Sequence, residues 1–484
     1  MELRVPALLK RRRTKIVATL GPASSEEATI ERLIQAGVDV FRLNMSHGSH
    51  ADHQRAFERV RAAATRLARP VAVLADLCGP KIRVGRFAGG AISLETGSRA
   101  TITTRDVVGQ PGMIPSQYEA LATDVRRGDH ILLDDGILDL QVQDVQGTEI
   151  TCVVVHGGVL KDRKGMNLPG VNVSTASLTS KDRDDAEFAL KLGVDFLALS
   201  FVRDAADVTE LKEIVNAAQS PAHVLAKIEM AEALNHLDEI LDASDGIMAA
   251  RGDLGVELPF EEVPMLQRQM VARARAANKP IVIATQMLES MIDRARPTRA
   301  EATDVAWAVL SGADAVMLSA ESASGAHPLL AVETLDRIAR KVESHLWQEG
   351  AFDAVVQPVE GVPPLPLQVA IARATSQLSR DLRVRTVVVP SSTGATARMV
   401  SSARPAAPVV AVTSDAGLCR RLALLWGVVP TCVAGGDLAR PADLARRVVR
   451  ELDLASTGDF VLVVSGFGGA GTTTIAPAIT ALPV

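Results

Sequence analysis

The sequence predicts an α/β protein, a (β/α)8 barrel that carries a small inserted β-barrel-like lid domain and a C-terminal α/β sheet domain. Three observations support this prediction. Eight short apolar runs alternate with amphipathic segments of helical length, the alternation is interrupted between about 84 and 172, and a second alternation follows a proline-rich linker. Strands that alternate with helices are typical of parallel sheets covered by helices.

The eight apolar runs are the predicted barrel strands. They occupy residues 15–21, 39–45, 70–77, 195–201, 223–229, 245–251, 280–286 and 314–320. Segments between them, such as 26–37 and 206–218, place apolar residues three and four positions apart, as amphipathic helices do. A doubly wound open sheet is the alternative. The barrel is favoured because many runs end in polar residues, and such barrels hold their active sites at the carboxyl ends of the strands.

The interruptions define the domains. Residues 84–172 are rich in Gly, Thr and Val and contain hairpin-like pieces, which predicts an all-β domain inserted between the third and fourth barrel strands. Residues 1–83 and 173–347 are therefore assigned to the barrel. The linker 357–367 lies near the start of a third, α/β domain, assigned to residues 348–484.

The overall composition argues against several functional classes. A net charge of −5 and a pI near 6.0 give no basic field for nucleic acid, and 3% aromatic residues offer few surfaces for stacking bases. The four cysteines form no CxxC pair, which suits a reducing cytoplasm better than a disulfide framework or a zinc site. No apolar run approaches the roughly 18 residues of a membrane span. We therefore predict a soluble cytoplasmic enzyme.

Residues 226–255 contain the highest concentration of candidate catalytic and metal-binding side chains. Lys227 and Glu229 are two positions apart at the end of a predicted strand, so their side chains share one face. Asp253 follows the next strand in the predicted turn ARGDLG. Two carboxylates from adjacent strand ends can hold Mg²⁺, and a lysine beside them can stabilise a phosphoryl group during transfer. A surface salt bridge is the alternative, which the apolar surroundings disfavour.

Threonines mark two further positions. Thr285 ends the seventh predicted strand, where its hydroxyl could donate to a substrate or relay a proton, although a helix cap is the alternative. Thr298 and Glu301 have the spacing of a capping box, and capping is the role predicted for that pair.

Polar residues also follow the second and third predicted strands. Arg42, Asn44 and Ser46 alternate and so share a face, where they are suitable ligands for phosphate and cations. A polar plug of the barrel is the alternative. The junction with the inserted domain, which could close on a substrate and exclude water, adds Asp76, Lys81 and Arg83.

Two glycine-containing loops occur in the C-terminal domain. PSSTGATA (390–397) precedes a predicted helix and suits a phosphate at the helix N-terminus, with an ordinary capped loop as the alternative. SGFGGAG (465–471) matches GxGxxG, but the sequence ends thirteen residues later. A dinucleotide site needs an acidic residue about 20 residues on, so a loop near a phosphate is the better interpretation. The sequence contains no GxxxxGK[ST] P-loop.

Long segments of the chain resemble the pyruvate kinase family, in the family's order. They are TKIVATLGPAS, AGVDVFRLNMSHG, GPKIRVG, RKGMNLPG, KIEMAEAL, SDGIMAARGDLGVELP and ATQMLESMIDRARPTRAEATDVAWAVLSGADAVMLSAESASG. The resemblance implies a TIM-barrel A domain, a lid-like B domain, and a C domain for effectors and oligomerisation, commonly in a homotetramer. It also implies the last reaction of glycolysis, in which phosphoenolpyruvate and ADP give pyruvate and ATP.

The resemblance implies roles for individual residues. Lys227 would stabilise the phosphoryl group in flight, while Glu229 and Asp253 would bind Mg²⁺ or Mn²⁺. Thr285 would lie near the carbon that receives a proton. The implied substrate contacts are Arg42, Lys227, Gly252, Asp253 and Thr285. The implied nucleotide contacts are Pro22, His47, Arg83 and Lys164. The C-domain loop that resembles the family's effector loop, for a sugar phosphate or AMP, contributes Ser391, Ser392, Thr393, Gly394 and Thr396.

One departure from the family concerns a monovalent cation. Many members require K⁺, at positions that match Asn44, Ser46, Asp76 and the backbone of Leu77. This chain has Lys81 where those members have glutamate. We hypothesise that the Lys81 ammonium replaces the ion and that activity does not require K⁺. Two other functions are alternatives: a metal-dependent lyase of the phosphoenolpyruvate/pyruvate barrel group, and a catalytically inactive metabolite sensor.

Overall fold

The computed structural model describes residues 11–355, 364–466 and 477–484. These residues form a closed barrel, two small sheets from the inserted region, and a five-stranded sheet near the C-terminus. Within the described ranges, no helix is long and apolar enough to cross a membrane.

Eight parallel strands close the barrel, which confirms the predicted fold. Numbered along the chain, they are β1 (Lys15–Thr19), β2 (Val40–Asn44), β3 (Ala72–Asp76), β12 (Phe196–Leu199), β13 (His223–Ile228), β14 (Gly246–Ala250), β15 (Ile281–Ala284) and β16 (Ala315–Leu318). Their order around the barrel is β1-β16-β15-β14-β13-β12-β3-β2. All eight carboxyl ends therefore meet at one mouth, where such barrels place their active sites.

Helices follow the barrel strands, and the long ones cover the outer face, whereas α8 lies at the mouth. They are α1 (Glu27–Ala36), α2 (His50–Arg66), α4 (Ser180–Leu192), α5 (Ala205–Ala217), α6 (Ala231–Asn235), α7 (Leu237–Ala243), α8 (Arg251–Glu257), α9 (Val263–Ala276), α10 (Arg299–Leu310), α11 (Ala320–Ala323) and α12 (Pro328–Gly350). The Thr298–Glu301 capping box is confirmed at the start of α10. The prediction that ARGDLG forms a turn is wrong, because these residues enter α8 directly.

The inserted region is a mainly β unit with its own apolar core, and the short helix α3 is its one departure, among the described residues, from the predicted all-β domain. Its elements are β4 (Ala91–Leu94), β5 (Arg99–Thr103), β6 (Met113–Pro115), α3 (Leu121–Asp124), β7 (His130–Leu133), β8 (Leu138–Gln146), β9 (Glu149–His156), β10 (Gly158–Lys161) and β11 (Met166–Asn167). A six-stranded half-barrel sheet has the order β11-β7-β8-β9-β5-β6, and β10 pairs with β4. Because β3 and β12 are neighbours, the insert leaves and re-enters the barrel at adjacent strands.

The C-terminal sheet has the order β19-β18-β17-β20-β21. Its elements are α13 (Leu367–Asp381), β17 (Thr386–Pro390), α14 (Ala395–Ser402), β18 (Val409–Thr413), α15 (Ala416–Arg421), β19 (Val428–Cys432), α16 (Pro441–Glu451), β20 (Phe460–Ser465) and β21 (Ala478–Pro483). Short 3₁₀ helices occur at Glu289–Ile292, Asp353–Val355, Leu422–Leu424 and Gly435–Ala439. This confirms a separate α/β domain. Most of the glycine loop 465–471 lies outside the described residues.

The C-terminal domain packs against the amino ends of the barrel strands, opposite the mouth. The fully buried Arg404 places Nη1 3.2 Å from Asp314 Oδ1 and donates from Nη2 to the carbonyl of Gly312 at 2.6 Å. Lys15 donates from Nζ to the carbonyl of Val428 at 2.6 Å. Contacts of this kind join the two domains far from the strand ends that carry the predicted chemistry.

Candidate active site

Lys227 lies one residue before the end of β13, and oxygen atoms surround its ammonium. Nζ lies 2.6 Å from Ser200 Oγ, 2.7 Å from Glu229 Oε1 and 3.4 Å from Asp76 Oδ1. Burial lowers the pKa of Lys227, but the charges of Asp76 and Glu229 outweigh it and raise the pKa above its ordinary value. Lys227 therefore remains a cation, and its pair with Glu229 is buried rather than a surface salt bridge.

Asp76 connects Lys227 to Arg42. Its Oδ2 accepts a hydrogen bond from Arg42 Nε at 2.6 Å, and Arg42 Nη1 also donates to Thr19 Oγ1 at 3.1 Å. Burial acts to raise the pKa of Asp76, but the two cations hold it below its ordinary value. The structure thus brings Arg42 and Lys227 to one carboxylate. The sequence had suggested Asp76 only as a polar residue of the junction and a cation ligand.

Glu229 and Asp253 are the two carboxylates predicted to hold a metal. Glu229 is 2% exposed, and its Oε2 accepts from the backbone amide of Phe201 at 2.8 Å. Burial, together with the negative charge of Glu229, raises the pKa of Asp253 to about 6. A cation between them would relieve both effects, so the pair fits a divalent ion. No group of three or more His, Cys, Asp or Glu side chains in the described residues is arranged to hold a metal.

Thr285 lies at the end of β15 against the start of α8. Its hydroxyl accepts a hydrogen bond from the amide of Gly252 at 2.7 Å and donates to the carbonyl of Ala284 at 2.6 Å. Arg251 donates from Nη2 to the Thr285 carbonyl at 2.8 Å. The φ of Thr285 is +68°, which is unfavourable for a β-branched residue and is typical of functional sites.

Comparisons with known proteins identify the family. A family model for the pyruvate kinase barrel domain matches residues 11–332, and one for the pyruvate kinase alpha/beta domain matches residues 369–476. The chain belongs to the pyruvate kinase family. It is 42% identical over 463 residues to a pyruvate kinase of Geobacillus stearothermophilus, with 94% of this chain and 78% of the relative covered.

Further relatives support the same assignment. A pyruvate kinase of Mycobacterium tuberculosis is 42% identical over 459 residues, with 94% and 95% coverage of this chain and the relative. The crystal structure of a pyruvate kinase from Cryptosporidium parvum superposes with a TM-score of 0.91 at 35% identity, and it covers 99% of this chain and 98% of its own. Family membership implies a phosphotransferase with a divalent metal cofactor that binds phosphoenolpyruvate and ADP.

A cavity of about 370 Å³ lies between the barrel mouth and the inserted region. Four residues predicted from the pyruvate kinase resemblance line it, namely His47, Arg83, Lys164 and Asp253. Lys81, which departs from the family pattern, lines it as well. Lys164 forms an ion pair with Asp134 at 2.7 Å, and Arg83 donates to the carbonyl of Arg163 at 3.0 Å. Pro22 is exposed and does not line the cavity.

The residues predicted from the resemblance to match a K⁺ site lie near the ends of β2 and β3. Asn44 Oδ1 accepts from the amide of Ser46 at 3.2 Å, and the carbonyl of Leu77 accepts from Ser200 Oγ at 2.8 Å. Lys81 is exposed, and within the described part of the chain its ammonium makes no hydrogen bond or ion pair. Burial lowers the pKa of nearby His47, and the positive charge of Lys81 lowers it further. The same charge acts to lower the pKa of Asp253, which burial raises.

Sequence reasoning missed three residues of this site. Ser200 and Phe201 follow β12. The Ser200 hydroxyl accepts a hydrogen bond from Lys227, and the Phe201 amide donates one to Glu229. Phe201 has a φ of +56°. Glu257 lines the cavity one helical turn after Asp253, and burial raises its pKa to about 7. The four-residue spacing in GDLGVE would have indicated Glu257 had the segment been predicted as a helix.

The predicted effector loop connects β17 to α14. Ser391 is buried and its Oγ accepts from the amide of Gly394 at 2.9 Å, where Gly394 has a φ of +83°. Thr393 Oγ1 accepts from the amide of Ala395 at 3.4 Å, and Ser392 is exposed while Thr396 is buried. These hydrogen bonds are local to the loop, and α14 begins at its N-cap residue Gly394 without a side-chain cap. The effector role stays a prediction.

Proposed function

We propose that this chain transfers a phosphoryl group from phosphoenolpyruvate to ADP at the mouth of the barrel, giving pyruvate and ATP. Membership of the pyruvate kinase family supports this reaction, and no finding favours a lyase. The observation that carries the residue assignment is the buried Lys227 ammonium between Glu229 and Asp76. A cation fixed at this place needs no reorganisation when charge develops on the transferring phosphoryl group.

Glu229 and Asp253 are the residues we propose to bind Mg²⁺, with Mn²⁺ as a substitute. Mg²⁺ binds oxygen ligands, takes few carboxylates and leaves places for water and substrate oxygens. The ion supplies a charge that neutralises the phosphate oxygens of the substrates. Burial and, after it, the negative charge of Glu229 raise the pKa of Asp253. A bound cation would offset both effects, which supports this pair as its ligands.

The remaining roles are those that the family resemblance implies, and the contacts of the residues support them. Arg42, oriented by Asp76, would bind the phosphate of phosphoenolpyruvate. The hydroxyl of Thr285 would hold the proton delivered to the enolate carbon, and the amide of Gly252 would bind the substrate carboxylate after leaving that hydroxyl. The nucleotide phosphates would occupy the cavity beside Arg83 and Lys164, with His47 on its wall. Pro22 lies outside this lining, and only the family resemblance suggests that it is near the base or ribose.

Lys227→Met tests the proposed reaction. We expect kcat to fall by about 10³-fold or more, because the cation that stabilises the transition state is removed. The control is Lys191→Met, which removes a lysine that is 78% exposed on α4 and should leave kcat unchanged. Rates are measured by coupling pyruvate formation to its reduction. A Lys227→Met enzyme with half of the original kcat would contradict the assignment.

We further propose that turnover does not require K⁺, because Lys81 supplies a fixed positive charge at the mouth. Initial rates should be unchanged when K⁺ is replaced by tetramethylammonium, whereas Lys81→Glu should gain a K⁺ requirement. Arg268→Glu, at an exposed residue of α9, is the control for the charge change. A many-fold loss of rate in the unsubstituted enzyme without K⁺ would reject the proposal.

Regulation and assembly are proposed on the family resemblance. We expect a sugar phosphate or AMP to bind at residues 391–396, where an amide-rich loop precedes α14. A homotetramer is the expected assembly. Initial rates with a panel of effectors, and the molar mass by light scattering, measure the two properties.

A further inference from the structure

A second and larger cavity, of about 820 Å³, lies between the barrel and the C-terminal domain. Its walls come from the C-terminal end of α9, from α13 and from the C-terminal end of α14. Because α9 leads into the amino end of β15, this cavity lies on the side of the barrel opposite the candidate active site. It is also at the other end of α14 from the loop 391–396.

Arg275, on the wall of this cavity, is a buried charge that lacks its own counter-ion. It is 5% exposed, its Nη2 donates to the carbonyl of Ser402 at 3.2 Å, and its Nε has no hydrogen-bond partner among the described residues. The carboxylate that offsets its charge, Asp314, pairs with Arg404 at 3.2 Å. Burial and the positive charge of Arg404 lower the pKa of Arg275 well below its ordinary value.

Two further arginines line the cavity from α13. Arg380 has a carboxylate nearby, because its Nε lies 3.8 Å from Asp353 Oδ1. Arg373 is exposed and, like Arg275, forms no ion pair within the ranges that the structure describes. The C-terminal ends of α9 and α14 contribute roughly half a negative charge each. That is less than the two guanidinium charges, so the cavity carries an excess of positive charge.

We propose that this cavity binds a phosphate group between Arg275 and Arg373. Guanidinium groups bind phosphate through paired hydrogen bonds, and an anion would balance the buried charge of Arg275. The cavity is much larger than a phosphate ion, and Val369, Ala370 and Ala372 form an apolar wall beside the arginines. A small organic phosphate and free phosphate share the chemistry that the arginines recognise.

The test compares phosphate binding by the full-length chain and three variants. Arg373→Gln removes an exposed guanidinium from the wall, and Ala370→Glu adds a negative charge to the same wall. Arg268→Gln is the matched control, because Arg268 is exposed on α9 and does not line the cavity. Size-exclusion chromatography establishes that the variants keep the assembly of the unsubstituted protein.

Inorganic phosphate, glucose 6-phosphate and AMP are titrated, and the rise in melting temperature and the calorimetric Kd are recorded. The substitutions leave the active site and the loop 391–396 intact, so binding there should be the same in all four proteins. We expect Arg373→Gln and Ala370→Glu to weaken one set of sites by about 10-fold or more, since a hydrogen-bonded charge is lost or opposed. Arg268→Gln should match the unsubstituted chain.

The three probes also distinguish the source of the phosphate. Tighter binding of glucose 6-phosphate or AMP than of inorganic phosphate, lost in Arg373→Gln, assigns the cavity to an organic phosphate, and the reverse order assigns it to free phosphate. If each probe binds all four proteins with the same Kd, the proposal is overturned.

Discussion

At the scale of single residues, Asp76 forms ion pairs with both Arg42 and Lys227 at the barrel mouth. It is 1% exposed, and its two oxygens face Arg42 at 2.6 Å and Lys227 at 3.4 Å. Two buried cations near each other repel strongly in a medium of low polarity. Attraction to the carboxylate between them offsets this repulsion. The position of Arg42 and Lys227 beside each other therefore depends on Asp76.

Asp76→Asn should be strongly destabilising, because it leaves two buried cations with one fewer carboxylate. We expect the free energy of unfolding to fall by about 3–5 kcal/mol, as it does when one partner of a buried pair is removed. The control is Asp238→Asn, whose pair with Arg273 has side chains 66% and 54% exposed and should contribute under about 1 kcal/mol. Both are measured by urea denaturation, and equal losses would argue against a special role for Asp76.

At the scale of elements, the capping box of α10 connects this helix to its neighbour. Thr298 Oγ1 accepts from the amide of Glu301 at 3.2 Å, and Glu301 Oε2 accepts from the amide of Thr298 at 2.7 Å. The other oxygen of Glu301 accepts from the amide of Ser290 at 2.6 Å. One carboxylate thus accepts hydrogen bonds from a backbone amide at the start of α10 and from one in the 3₁₀ helix Glu289–Ile292, which follows Thr285 in the chain.

Thr298→Ala removes the cap and should lower the free energy of unfolding by about 1 kcal/mol. The matched control is Thr303→Ala, because the Thr303 hydroxyl donates to the Arg299 carbonyl inside the same helix at 2.9 Å. Alanine favours helices more than threonine does, so Thr303→Ala should cause no loss. Urea denaturation of the two variants side by side measures the difference. A Thr303→Ala protein less stable than Thr298→Ala would contradict the capping role.

The sequence predicted the secondary-structure elements better than the contacts between residues that lie far apart in the chain. The eight barrel strands were found because buried parallel strands are short apolar runs that helices separate. The helix at 251–257 was missed because Gly252 and Gly255 disfavour helix formation locally, while packing at the barrel mouth overrides that preference. The contacts of Lys227 with Ser200 and Asp76 join residues 27 and 151 positions away along the chain, and only the closed barrel brings them together.

At the scale of the whole molecule, the chemistry and the domain junction occupy opposite ends of the same strands. Lys227 lies near the carboxyl end of β13, and His223 begins that strand on the side of the C-terminal domain. The charges around His223 come from Asp245, from Lys212 of α5, from Arg398 of α14 and from Arg421 of α15. The three cations make a positive charge on His223 unfavourable, and two of them belong to the other domain.

Acid should therefore weaken the folded molecule through His223. Burial is the main cause that lowers the pKa of His223 to about 4 from its ordinary value of 6.5, with Asp245 opposing and the cations reinforcing it. The unfolded chain binds the proton first, so this contribution to stability is complete above about pH 6.5 and is lost as the pH falls towards 4. Between pH 7.5 and 5 the loss should be about 1–2 kcal/mol.

His223→Gln has no proton to bind, so its stability should fall less steeply over that range than that of the unsubstituted protein. Urea denaturation at half-unit pH steps gives both curves, and the difference between them removes the titration of the carboxylates, which both proteins share. His345→Gln, at a histidine whose side chain is 57% exposed on α12, is the matched control and should parallel the unsubstituted protein. If the His223→Gln curve also runs parallel down to pH 5, then the junction tolerates the charged imidazole and the burial of His223 is not what limits stability in acid.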